Sequence, residues 1–140
     1  MSRTGEHLDL SRPLLSGVYD VDPADYDALG AQARRHELAL SRIDLAGCHD
    51  KHAVLARLAG TLQLPEDFGA NWDALADCLR DPAWHPGWGH VLLFEHVDGL
   101  RRQAPADLAV LRGVLDDAAT FALEHDRPFF AFLPLPTLAD

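Results

Sequence analysis

Two short runs in this chain, Val91-Leu92-Leu93-Phe94 and Phe129-Phe130-Ala131-Phe132-Leu133, are apolar at every position. A strand with one wet face alternates apolar and polar residues, whereas a strand covered on both faces has no need to. Each run is short, and breakers bound both: Gly87 and Gly89 precede the first, while Pro134 and Pro136 stop the second. Between them Leu108, Leu111, Val114, Leu115, Ala118 and Phe121 recur at helical spacing, in a segment opened by Pro105 or Ala106. A strand, a helix and a second strand, with both strands buried, require a crossover connection and therefore a parallel sheet. The fold class that follows is α/β.

The same alternation runs through the rest of the chain. Ser16-Gly17-Val18-Tyr19-Asp20-Val21 reads as a short edge strand. Asp22-Pro23 starts a helix, because proline suits a first helical turn. Tyr26, Leu29 and Ala33 form its face, and His36-Glu37 end it. Leu38 to Leu45 alternates like a half-buried strand, and Asp50 caps a helix whose face is Val54, Leu55, Leu58, Ala59 and Leu62. Residues 82–89 read as a turn-rich loop and Val97 to Gln103 as a polar connection with a helical turn. Residues 1–16 have little period and are expected to be flexible, and the tail 137–140 to fray. At 140 residues, a single domain over 17–136 is expected.

Charge narrows the function classes. The chain carries 22 acidic and 12 basic groups, a formal charge of −10. Nucleic-acid binders present a basic patch, so no direct binding to nucleic acid is expected, and none to an anionic membrane. A basic protein partner is favoured, since opposite charges speed encounter. Lys51 is the one lysine and follows no glycine-rich loop, which argues against a Walker-type phosphate site. No serine stands in a Gly-x-Ser-x-Gly elbow. Two cysteines, Cys48 and Cys78, make no disulfide framework for a chain of this length, so a reduced, cytoplasmic state is expected. The start of the chain has no apolar signal core, and no stretch approaches about 20 apolar residues.

The segment Leu64-Pro65-Glu66-Asp67-Phe68-Gly69-Ala70-Asn71-Trp72-Asp73-Ala74-Leu75-Ala76-Asp77-Cys78-Leu79 reads as a loop followed by a short helix. Pro65 and Gly69 punctuate the loop, and Asn71 can cap the helix. Trp72, Leu75, Cys78 and Leu79 face a core at helical spacing. The other face carries Asp73, Asp77 and Asp81, each four residues apart, and like charges so placed repel by about 0.2–0.5 kcal/mol per pair. Only Arg80 is nearby, so the acidic ladder reads as unrelieved and suited to a cationic partner.

This segment resembles the recognition loop and helix of the barstar family of bacterial ribonuclease inhibitors. Leu64, Pro65, Glu66, Phe68, Gly69, Asn71, Asp73, Ala74, Leu75, Asp77, Cys78 and Leu79 stand where that family has them. The resemblance covers residues 38–134 and leaves 17–36 as an amino-terminal addition. It implies a three-layer α/β fold: a small parallel sheet of three strands with flanking helices, and room for one extra edge strand. It also implies a non-catalytic cytoplasmic protein, without cofactor and favoured as a monomer, that plugs the active site of a basic ribonuclease or similar basic toxin. Within that implication Asp77 occupies the phosphate pocket and Asp73 makes a second acidic contact. Asp117 on the last helix, preferred over Asp116, makes another. Gly69 brings loop backbone close to the partner, Phe68 and Trp84 are candidate aromatic anchors, and Asp81 extends the acidic face. Asn71 borders this surface but reads as a cap before a contact, and Trp72 as core. The family pattern departs at two surface positions, Asp67 and Ala76, where an aromatic is expected, so the partner need not be barnase itself.

Three other readings compete. Cys48, His49 and His52, with His85, His90 and His96, offer donors for a metal-dependent hydrolase. Eight histidines scattered through an acidic chain are, however, usually solvated or capping groups, and no metal is expected. Asp73 and Asp77 could form an acid/base pair, although no partner base is evident. A barstar-fold interaction module could also bind a protein that is not a nuclease.

Overall fold

The computed structural model describes residues 8–65, 71–81 and 88–136. Strands β1 (Gly17–Val21), β2 (Ala39–Asp44), β3 (His90–Glu95) and β4 (Phe129–Pro134) form one sheet in the order β1-β4-β3-β2. Every neighbouring pair is parallel. The extra edge strand allowed for by the sequence is β1, and it pairs with β4.

The two wholly apolar runs become the central strands, and the reason lies in what covers them. Leu92, Phe94, Phe129, Ala131 and Leu133 share one core cluster. That face is covered by α2 (Lys51–Leu62), α3 (Trp72–Arg80), the short α4 (Asp98–Gln103) and the long α5 (Pro105–Glu124). Val91, Leu93, Phe130 and Phe132 belong to a second cluster with Tyr26, Leu29 and Ala33 of α1 (Tyr26–Arg35). The sheet is thus the middle of three layers. The segment 17–36 both extends the sheet, through β1, and covers its second face, through α1.

Tyr26 ties these layers together. Its ring is buried on α1, and its hydroxyl faces two carbonyls of the central strands, Phe94 O at 2.6 Å and Phe132 O at 3.1 Å. Burial first, then the nearby Glu95 charge, pushes the hydroxyl pKa well above the usual tyrosine value.

Several expectations change in detail. Of the stretch expected to be flexible, residues 1–7 lie outside the described residues, but Leu8 and Leu10 are buried. The Gln32 side chain on α1 accepts from the Leu10 N–H and donates to the Leu8 carbonyl at 3.0 Å. One amide thereby gives this arm the backbone partners a strand would otherwise supply. The final strand runs through Pro134 rather than stopping before it. A strand end tolerates proline because little of the ladder depends on the missing N–H, and Leu135 continues the pairing to Val21. The polar connection after β3 is a helix, α4, with Leu100 buried and Arg101 bonded to Asp98 at 2.7 Å and to the Pro134 carbonyl at 3.1 Å. The tail 137–140 lies outside the described residues.

Candidate functional site

Helix α3 forms where the sequence supplies a cap and an apolar stripe. The Asn71 side chain accepts from the Ala74 N–H at 2.7 Å, satisfying one orphan donor of the first turn. Leu75 and Leu79 are fully buried, while Trp72 and Ala76 are half-buried against the same core. The helix packs along α5. With that face committed to the core, Asp73 and Asp77 are left exposed on the other.

The electrostatics of this face are less one-sided than the spacing suggests. Asp73 lies in the first turn, where the positive end of the helix dipole favours an anion. Asp77 is not unrelieved: Arg80 reaches its carboxylate at 3.1 Å. The four-residue spacing of the ladder hides this relief, because the cation stands three residues away, a distance that also brings side chains together. Arg80 in the last turn also complements the negative end of the dipole. Asp77 is well exposed and Arg80 partly so, and the pair therefore contributes at most about 1 kcal/mol and is easily exchanged for another partner. Asp81 is exposed at the C-cap, and its N–H donates to the Cys78 carbonyl.

Asp117 is exposed on α5, the helix that α3 packs against, and Asp116 beside it is equally exposed. Glu66, Asp67, Phe68, Gly69 and Ala70 of the loop lie outside the described residues, as do Trp84 and His85.

Among the described residues, the candidate metal donors do not come together. Cys48 is buried, with its sulfur 3.6 Å from the Ala53 carbonyl, and burial raises its thiol pKa. The His49 ring lies against Gly99, and His52 is exposed. His90 meets Ser41 at 3.0 Å, and His96 Nδ1 meets Asp44 at 2.8 Å. Among the described residues, no group of three or more His, Cys, Asp or Glu side chains is placed to hold a metal ion. No helix among them is long and apolar enough to cross a membrane.

A family model described as Barstar (barnase inhibitor) matches residues 38–134, from the residue before β2 to the end of β4. The chain belongs to the barstar family. No curated protein matches it. Within the barstar match lie three of the four strands and helices α2 to α5, including the acidic helix α3. Strand β1, helix α1 and the arm at residues 8–10 precede it. The barstar family is one of inhibitors rather than catalysts, and the chain is accordingly barnase-inhibitor-like.

Proposed function

We propose that this barstar-family protein binds and blocks a basic ribonuclease, or a basic toxin of similar active-site chemistry, through α3 and the loop before it. The observation that carries the reading is the exposed pair Asp73 and Asp77, on a capped helix whose other face is locked into the core, inside the matched segment. A site that binds phosphodiester must be cationic, and a carboxylate seated in it accepts charge-assisted hydrogen bonds as the phosphate would. In this reading Asp77 exchanges Arg80 for a partner guanidinium or imidazolium, and Asp73 adds a second contact. In the same reading Asp117, Asp81 and Ala76 are further contacts, and the barstar pattern adds Asp67, Phe68, Gly69 and Trp84 as contact candidates. The protein acts by occupying the partner's site and performs no chemistry of its own. Action inside a reducing cytoplasm fits two free cysteines.

The test is capture from the source cell's proteins on immobilised wild type and on Asp73→Ala/Asp77→Ala, with the retained proteins identified and assayed for ribonuclease activity. A basic nuclease held by the wild type, inhibited by it, and lost from the double variant supports the reading. Equal retention by both chains refutes the site. Retention of a non-nuclease would favour the interaction-module reading instead.

A further inference from the structure

Of the four partly buried arginines among the described residues, three meet a carboxylate: Arg80 meets Asp77, Arg101 meets Asp98, and Arg112 meets Asp20. Arg127 has no such partner among the described residues, although the chain carries ten more acidic groups than basic ones. A partly buried guanidinium with no carboxylate beside it among the described residues presents charged hydrogen-bond donors that suit an anion.

Arg127 also lines a cavity of about 270 Å³ with Trp88, Phe121, His125 and Pro128, at the end of the sheet where β3 and β4 begin. The walls are held in place. The Trp88 indole N–H donates to the His36 carbonyl at 3.1 Å. The His125 ring lies tilted by 33° against Phe121 with centroids 4.2 Å apart, and its Nδ1 meets the Phe121 carbonyl at 2.8 Å, leaving Nε2 as its other hydrogen-bonding atom. The Arg127 N–H donates to Ala122 O at 2.9 Å, and its carbonyl accepts from the Ser16 hydroxyl at 3.2 Å. Gly89 packs so closely on Pro128 that a Cβ there would lie 2.7 Å from the Pro128 carbonyl.

We propose that this cavity is a binding site for a small planar aromatic carboxylate, with the ring against Trp88 and Phe121 and the carboxylate on Arg127. Aromatic walls with one cationic side chain are the composition of a small-molecule pocket. A cavity of about 150 Å³ accepts benzene, so this one has space for a two-ring acid. The site is separate from the exposed aspartates of α3 and does not depend on the inhibitor reading.

The probes are 2-naphthoate and the neutral 2-naphthamide, titrated into the full-length protein while amide and indole N–H signals are followed by NMR. The expected result is a saturable shift of the Trp88 indole and the 121–129 amides with naphthoate. Binding should be at least about tenfold weaker with naphthamide, and similarly weaker for naphthoate with Arg127→Gln. The amide arm uses the wild-type chain, so it decides the matter even if the variant fails to fold. The proposal is overturned by no saturable shift up to about 5 mM naphthoate, by equal binding of acid and amide, or by shifts confined to residues outside the cavity.

Discussion

Removing residues 1–36 leaves the whole family-matching segment intact, and we expect the remainder not to fold as a monomer. Val91, Leu93, Phe130 and Phe132 are each 0% exposed, and their cluster is completed by Leu8, Leu10, Tyr26, Leu29 and Ala33 from the deleted part. Full burial of such a side chain stabilises by about 1.5–3 kcal/mol. Returning these four to water therefore costs roughly 6–12 kcal/mol, an upper range because unfolded chains already bury some of this surface. A domain has about 5–15 kcal/mol of stability in total, so the loss is of the same size as the whole. The deletion also strips β1 from β4, leaving an apolar face beside an open strand edge, a combination that invites aggregation. The assay is to compare residues 37–140 with the full chain by size-exclusion chromatography, thermal melting and binding of a dye for exposed apolar surface. Oligomers, dye binding and no cooperative melt are expected. A monomeric 37–140 that melts within a few degrees of the full chain would show that the second layer is dispensable and the reasoning wrong.

Three further outcomes are expected. Asp77→Ala should change stability by less than about 0.5 kcal/mol, since the exposed Arg80 pair it loses is worth about 0.3–0.5 and alanine is the better helix former; a melt shifted by many degrees would mean that lost capture reports unfolding rather than a lost contact. Tyr26→Phe keeps the buried ring but removes the hydroxyl from the Phe94 and Phe132 carbonyls, at a cost of about 1–3 kcal/mol, read as a drop of about 4 °C in Tm for each kcal/mol; an unchanged Tm would remove Tyr26 as the tie between layers. The Asp44 carboxyl is held below the usual aspartate range, first by the Ala46 N–H and then by His96. Its stabilisation is complete above the unfolded-state pKa of about 3.9 and is lost as pH falls through the lower folded-state value. Tm should therefore fall less for Asp44→Asn than for wild type between about pH 5 and pH 2, and parallel curves for the two chains would count against the Asp44 contacts.

Legibility in the sequence divides along the reach of the interactions. β3 and β4 are legible because complete apolarity over four or five residues reports a local fact, cover on both faces. The cap at Asn71 and the stripe Leu75–Leu79 are legible for the same reason, since both partners lie within one helix. The arm at residues 8–10 is not, because its order comes from Gln32, 22 positions away, and leaves no period of its own. The place of β1 is not either: the crossovers establish that the strands are parallel but not which edge the first one joins. Arg80 stands within reach of Asp77 in the sequence, but it shows only when the ladder is read at three-residue as well as four-residue spacing.

The candidate site differs in kind from these packing features. Leu75 and Leu79 are answerable to the core, and α2, α5 and the sheet would register a change in either. Asp73 and Asp77 point away from all of that, and folding gains little from them, since the dipole at Asp73 and the Arg80 contact at Asp77 are offset by the repulsion of two carboxylates one turn apart. The single Arg80 contact offsets the repulsion at Asp77 but is too weak to account for the pair. Residues from which the fold gains little are the ones to examine for a role outside the chain. Residue type and spacing alone therefore single out the acidic helix, and under the proposed reading the sign of its charge calls for a cationic partner.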